Sequence, residues 1–276
     1  MSDQTVRFSL NHMVYPSWSA MELIESAIKL GVGAVELRND LPKNSLFEIE
    51  SAQAIGLKAA ENDIEILSIN ALYPFNIWNK EREEQAINLA KLGKACGAKG
   101  LVLCPMNDKE YHSSDEDKKI ELYHALSNLK VILEKYDLKG FIEPLGFSIS
   151  SIRFKKDVVE AITHIKGEDC FSLVHDTFHH CGAGEIEIFP LNTGLVHISG
   201  VEDESVSFDN MLDAHRVLVG PKDRLGNISQ MRQLLDSGYQ GLFSFEPFSK
   251  EILALEDPLA AVQESMEYIQ KTLITA

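Results

Sequence analysis

The sequence predicts an α/β chain folded as one (β/α)8 TIM barrel over residues 1–276, on three observations. Eight short apolar or β-branched runs alternate with longer segments of helical period, the pattern of repeated βα units on a parallel sheet. No Gly-, Ser- or Pro-rich linker divides the chain. Four polar residues of metal-binding type, Glu143, Asp176, His197 and Glu246, end the last four runs, where barrel strands project into one shared mouth.

The first strand is expected over VRFSLN (6–11). The segment after it, NHMVYPSW, has no glycine, which excludes the phosphate-binding turn of a doubly wound fold. A helix at about 19–31 stops at Gly31 and leads into AVELR (34–38); a second, at 48–62, leads into IEILSIN (64–70). Helix 80–96 stops at Gly97 before GLVLCP (100–105), and helix 115–137, capped by Asp115, precedes GFIEP (140–144). Helices at 156–166 and 180–189 precede FSLVHD (171–176) and GLVHIS (194–199). The phrases LGVGAVEL, CGAKGLVL and SGYQGLFSF each place a turn glycine just before a strand, as an αβ loop requires. The last unit holds the longest irregular stretch, 200–228, then a helix at 229–238 capped by Ser229 and stopped by Gly238. GLFSFE (241–246) and a helix at 257–273 close the chain. The irregular stretch follows strand seven on the face where a functional loop belongs.

With 45% hydrophobic and 25% charged residues, the composition is that of a globular protein. A formal charge of −16 opposes binding to a phosphate backbone, so no nucleic-acid partner is expected. Residues 1–20 lack the basic flank and continuous apolar core of a signal peptide, and no run is long enough to span a bilayer, so the expectation is a cytoplasmic chain without membrane contact. Cys96, Cys104, Cys170 and Cys181 form no CxxC pair and are expected as free thiols.

The four strand-end residues are best read as a set. Three carboxylates in one mouth repel each other unless a cation lies among them. Three carboxylates and one imidazole are hard, oxygen-dominated donors, which suit one divalent metal ion, Mn²⁺ or Mg²⁺, with Zn²⁺ or Co²⁺ also compatible. Glu36 ends the second strand and faces the pocket, either as an acceptor of a substrate hydroxyl or as the partner of Arg38 or Arg216. Asn70 ends the third, where it either holds a ring hydroxyl or bonds its own turn. Trp18, Tyr73, Phe75 and Phe248 are candidate apolar walls for the C–H faces of a sugar ring. His175, His180 and Cys181 crowd Asp176 as if for a second metal, but strand alternation turns His175 to the opposite side.

Seven motifs occur in order: VELR (35–38), NALYPFN (70–76), IEPLG (142–146), HDTFHH (175–180), VHISGVED (196–203), HRVLVG (215–220) and FSFEPF (243–248). Together they resemble the xylose isomerase-like superfamily of sugar isomerases and epimerases over nearly the whole chain, most closely its inosose (2-keto-myo-inositol) isomerases. The resemblance implies that Glu143, Asp176, His197 and Glu246 are the metal ligands and that Glu143 and Glu246 are also the proton-transfer pair. It further implies that His179, in an Asp-x-x-His pattern, contacts substrate, and that Arg216 holds a substrate hydroxyl or the developing oxyanion. Two positions depart from the pattern: Ile149 stands where many ketose epimerases have a second glutamate, and Phe147 where a polar residue is expected.

Moving a carbonyl to the adjacent carbon removes a proton from the carbon bearing the hydroxyl and delivers one to the former carbonyl carbon. A metal on the two oxygens stabilises the enediolate between, with one carboxylate as base and its partner managing the other proton. Which glutamate takes which part depends on the substrate face. The resemblance thus points to a metal-dependent isomerase acting on 2-keto-myo-inositol in inositol catabolism, with a small polyol or keto-sugar as partner and a homodimer or homotetramer as assembly. Alternatives on the same barrel are a hydroxypyruvate or ketose isomerase or epimerase, a cyclic keto-acid dehydratase, or a non-catalytic sugar-binding sensor. The endonuclease branch of the superfamily needs more histidines at strand ends and a basic face, and this chain has neither.

Overall fold

The computed structural model of the chain describes residues 6–41, 46 and 48–275. Residues 1–5 of the segment read for targeting signals lie outside the described residues. Eight strands close a barrel in chain order: β1 (Phe8–Asn11), β2 (Ala34–Arg38), β3 (Glu65–Leu72), β4 (Gly100–Leu103), β5 (Lys139–Ile142), β6 (Phe171–Asp176), β7 (Thr193–Ile198) and β8 (Phe243–Phe245). Every pair is parallel, and β8 closes on β1 with Ser244 beside Ser9. The helices are α1 (Ala20–Leu30), α2 (Ile49–Glu61), α3 (Lys80–Cys96), α4 (Asp115–Tyr136), α5 (Lys155–His164), α6 (Thr177–Ala183), α7 (Asn227–Asp236), α8 (Lys250–Leu253) and α9 (Pro258–Thr275).

Local chemistry explains most boundaries. Ser19 and Glu22 form a capping box at the start of α1, which stops at Gly31 with φ 66°, a conformation that glycine adopts without Cβ strain. Gly97 ends α3 in the same way at φ 75°. Four expectations need correction. The cap of α4 is Ser114, whose hydroxyl accepts from Asp117 N, and Asp115 is the first helical residue. Helix α7 starts at Asn227, two residues before Ser229, behind Gly226 at φ 71°, with the Asp223 carboxylate accepting from Asn227 N. Helix α6 starts at Thr177 rather than 180, because Asp176 caps it, and ends before Gly184 at φ 65°, so 184–189 is not helical. The short α8, capped by Ser249, has too few residues to show a period and was not anticipated. The stretch 200–228 is irregular as expected, with two 3-10 turns and an antiparallel bridge between Gly200 and Val217.

Two apolar layers hold the barrel. The large one lies between strands and helices and includes Leu10, Ile24, Ile69, Leu126 and Phe245, all fully buried. The small one, Ala34, Leu67, Val102, Phe141, Val174 and Leu195, fills the barrel interior. Each of Ala34, Phe141, Val174 and Leu195 lies two residues before a candidate site residue, Glu36, Glu143, Asp176 and His197, on the same face of its strand. The polar cluster therefore sits on an apolar floor. On the β8 and β1 side the floor is Ser244 and Ser9, both fully buried. Among the described residues no helix is long and apolar enough to cross a membrane, and all four cysteines are free.

His175 points away from Asp176, as alternation requires, into a polar network behind the barrel wall. Lys155 Nζ lies 3.1 Å from His175 Nδ1 and 2.8 Å from His180 Nδ1, and pairs with Glu185 Oε2 at 3.8 Å. His175 Nε2 lies 2.9 Å from Gln230 Oε1. A buried ammonium bonding both Nδ1 atoms leaves no donor set for a second metal there. Burial pushes the Lys155 ammonium down to about 8, against the pull of Glu185. Lys155→Met should destabilise the chain by about 2–4 kcal/mol, because two imidazoles and a carboxylate lose their buried partner. The unfolded chain binds more protons than the folded one between about 8 and the ordinary lysine value, so wild-type stability gains a contribution as pH rises through that window. Urea titrations across the window should show that contribution in the wild type and not in Lys155→Met.

Candidate metal centre

Glu143, Asp176, His197 and Glu246 offer one ligand atom each, all within 4.8 Å of one another, and all four residues are buried. Strand geometry brings them together: Asp176 ends β6, His197 is the penultimate residue of β7, and Glu143 and Glu246 directly follow β5 and β8. His197 is the hub. Its Nδ1 lies 2.9 Å from Glu143 Oε1, 3.2 Å from Glu246 Oε2 and 4.0 Å from Asp176 Oδ2. Asp176 divides its two oxygens: Oδ1 accepts from Phe178 N and His179 N at the start of α6, which leaves Oδ2 for the cluster.

Two guanidiniums flank the cluster. Arg216 is 1% exposed and comes from the irregular 200–228 stretch; its Nη2 bridges Asp176 Oδ2 at 2.6 Å and Glu246 Oε2 at 3.0 Å. Its Nε donates to Ser199 Oγ and its Nη1 to Asp213. Arg38, the last residue of β2, donates from Nη1 to Glu246 Oε1 at 3.0 Å and grips Asp40 with Nε and Nη2. Asn11, at the end of β1, adds a bond to Glu246 Oε1 at 3.1 Å. Arg38 and Asn11 obey the same strand-end rule as the anionic residues but escape a search confined to metal-ligand types. Cys104, just past β4, has its thiol 3.3 Å from Glu143 Oε2.

The remaining expected residues fall as follows. Glu36 pairs with neither Arg38 nor Arg216; it meets His197 Nε2, Ser68 and Asn70. Asn70 bonds Glu36 and Ser68 rather than its own turn. His179 is 5% exposed, its ring lies edge-on to Phe147 and Phe178, and its Nδ1 is unpartnered. Phe248 stacks under both guanidiniums, 4.7 Å from Arg216 and 5.6 Å from Arg38. Of the other candidate walls, Phe75 is fully buried core and Tyr73 is 47% exposed.

The electrostatics follow from this packing. Burial pushes the Glu246 carboxyl up, but His197, Arg216 and Arg38 outweigh it and hold the group at about 2. Burial likewise opposes the charge on Asp176, and Arg216 with His179 and His197 overcomes it. His197 is raised well above the ordinary histidine value: burial disfavours its charge, while Glu246, Glu36 and Glu143 surround it with anions. Cys104 is driven well above the ordinary thiol value by burial and the Glu143 carboxylate, which keeps it a neutral donor. Glu36, Asp40, Glu143, Asp176, Asp213 and Glu246 together exceed the charge of Arg38 and Arg216. The donor set fits one divalent cation: three converging carboxylates carry surplus negative charge, and one imidazole completes a hard set.

Fold and site together define a (β/α)8 barrel with a carboxylate–histidine centre for a divalent metal at the C-terminal ends of its strands. Residues 24–272 match the family described as xylose isomerase-like TIM barrel, and the chain belongs to that family. A xylose isomerase domain-containing protein from Salmonella typhimurium LT2 is 30% identical, with 100% of this chain and 99% of that one covered and a TM-score of 0.87. The structure titled IOLI protein with a binding zinc atom is 21% identical, with 98% and 100% covered and a TM-score of 0.84. An L-ribulose 3-epimerase is 18% identical, with 98% and 95% covered and a TM-score of 0.74. No curated protein matches the sequence.

Proposed function

We propose that the chain is a divalent-metal-dependent isomerase or epimerase of neutral keto-sugars and keto-cyclitols, with 2-keto-myo-inositol as the leading substrate. The observation that carries this reading is the placement of two buried glutamates, Glu143 and Glu246, on either side of His197 Nδ1 in one cluster. They are carboxylates from β5 and β8, which flank β6 and β7 in the barrel wall, and are placed to lie beside two adjacent carbons of one substrate. The neighbours titled as epimerases and as the zinc-binding IOLI protein have the same fold, and the seven sequence motifs point the same way.

Four residues, Glu143, Asp176, His197 and Glu246, would hold the metal, Mn²⁺ or Mg²⁺ by donor hardness, with Zn²⁺ and Co²⁺ also accepted. A bound divalent ion supplies a Lewis acid that favours negative charge on the two vicinal substrate oxygens. Glu143, which among the described residues meets only His197 Nδ1 and the Cys104 thiol, is the freer carboxylate; it takes the proton from the carbon bearing the hydroxyl and returns it to the former carbonyl carbon. Glu246 stays anionic under Arg38, Arg216 and Asn11 and orients the opposite side of the substrate. His179, with an unpartnered buried Nδ1, is a candidate donor or acceptor for a substrate hydroxyl, and Phe147 beside it offers an apolar wall.

Neutral substrates are favoured because neither arginine has a free fork: every guanidinium nitrogen of Arg38 and Arg216 already bonds a carboxylate or Ser199. Lys222 is exposed, and Arg224 bonds the carbonyls of Asp203 and Val206. A phosphate or carboxylate would meet an acidic mouth whose two guanidiniums are already held by carboxylates. Proton NMR of Mn²⁺-activated, then Mg²⁺-exchanged protein in D₂O with 2-keto-myo-inositol tests the reading. Deuterium should enter beside the carbonyl while the 1-keto isomer appears, and EDTA should stop both. Exchange without the new ketone moves the reading to another keto-polyol; no exchange with any keto-polyol favours a binding-only sensor.

A further inference from the structure

We infer that Glu36 serves His197 and not the substrate: its carboxylate holds the imidazole so that Nε2 carries the proton and Nδ1 is the nitrogen presented to a metal ion. Glu36 is a positioning residue. The inference rests on the metal-centre reading but needs no assumption about the reaction.

The two ring nitrogens of His197 face different partners. Nδ1 looks into the cluster, with Glu143, Glu246 and Asp176 between 2.9 and 4.0 Å away. Nε2 looks across the barrel to β2, where it lies 3.1 Å from Glu36 Oε1 and 3.2 Å from Oε2. Only an Nε2–H satisfies both environments once Nδ1 gives a lone pair to a cation, because a carboxylate accepts and never donates. A ligand histidine whose second N–H meets a carboxylate has its tautomer and ring orientation fixed and its basicity raised.

Glu36 is itself immobilised. It is 0% exposed, and its Oε2 accepts from Ser68 Oγ at 2.6 Å and Asn70 Nδ2 at 3.0 Å, while Asn70 Nδ2 also reaches Ser68 Oγ at 2.9 Å. Its Oε1 makes no hydrogen bond of its own but is fully enclosed and lies 3.1 Å from His197 Nε2, so no sugar hydroxyl reaches it from solvent. Asn70, expected as a hydroxyl binder, is on this geometry the outer end of a chain running Asn70, Ser68, Glu36, His197.

The polarity of this chain makes the test sharp. In Glu36→Gln the side-chain oxygen stays on the Ser68 and Asn70 donors at the Oε2 position, 3.2 Å from His197 Nε2, while the new NH₂ takes the Oε1 position 3.1 Å from the same nitrogen. The NH₂ opposes a proton on Nε2 and the negative charge that held it there is gone, so the tautomer with its proton on Nδ1, the position a metal needs, gains weight. The Mn²⁺ dissociation constant, read by EPR of free ion without substrate, should rise about 10–100-fold. An unchanged dissociation constant with a raised KM would overturn the inference in favour of substrate contact.

A measurement on the unaltered protein decides the matter if Glu36→Gln does not fold. With ¹⁵N-histidine and ¹¹³Cd²⁺, the metal coupling should appear on His197 Nδ1 and the retained proton on Nε2; coupling on Nε2 overturns the inference. Wild-type protein that takes up neither Cd²⁺ nor Mn²⁺ overturns it together with the metal-centre reading. Wild-type protein that binds metal with the expected tautomer but turns over no keto-polyol removes only the proposed reaction and supports the role of Glu36.

Discussion

Glu143→Gln should lower deuterium exchange into a keto-polyol substrate by about 10²–10⁴-fold at saturating Mn²⁺, the usual loss when a positioned general base is removed. The amide keeps the size of the carboxyl group; its oxygen can replace Oε1 beside His197 Nδ1 while its NH₂ faces the Cys104 sulfur, a weak acceptor, so the fold should survive. Glu246→Gln differs in kind. Glu246 accepts from Asn11, Arg38 and Arg216 and lies against His197, and an amide NH₂ pointed at any of these donors opposes it. Its metal affinity and stability should therefore fall together with its activity. The two variants are separated by measuring bound Mn²⁺ per chain beside the exchange rate. Full loading with lost exchange in Glu143→Gln supports its role as base; full loading with unchanged exchange would end the proposed mechanism.

The barrel was legible because each strand shows its period and because turn glycines such as Gly31 and Gly97 mark the helix ends locally. The four cluster residues were legible for a related reason. Parallel strands of a closed barrel end at one face, so polar residues at the ends of successive apolar runs must meet. What the sequence hid were residues whose significance comes from their partners. Arg38 and Asn11 matter because Glu246 needs donors from two further strands, and no local pattern announces that need. The early start of α6 was hidden because Asp176 both caps the helix and faces the cluster, and a period of 3.6 says nothing about a residue doing both. Arg216 lies in a stretch without regular period, so resemblance alone singled it out; its depth of burial became evident only with the fold. Glu36 was read on the pocket side, as a hydroxyl acceptor or a partner of an arginine; the arginine pairing does not form, and His197 was not foreseen because β2 and β7 are far apart in sequence and meet only across the closed interior.

Arg216→Met should give the largest change in stability of the metal-free chain. Arg216 Nη2 is the shared donor of Asp176 Oδ2 and Glu246 Oε2, and both carboxylates are buried. Methionine fills part of the volume and keeps contact with Phe178 and Phe248, whose rings lie 5.1 Å and 4.7 Å from the guanidinium carbon. Asp176 and Glu246 then lose the cation they share, and of the two only Glu246 keeps Arg38, a loss of about 3–5 kcal/mol when one partner of a buried pair is removed. That cost has a specific cure. A divalent ion bound by Asp176 and Glu246 supplies the missing positive charge, so Mn²⁺ should raise the unfolding midpoint of Arg216→Met by more than it raises that of the wild type. Thermal unfolding of both proteins with EDTA and with saturating Mn²⁺ makes the comparison. Equal metal-induced shifts would mean that Arg216 and the ion do not share those two carboxylates, and would move the metal away from the cluster centred on His197.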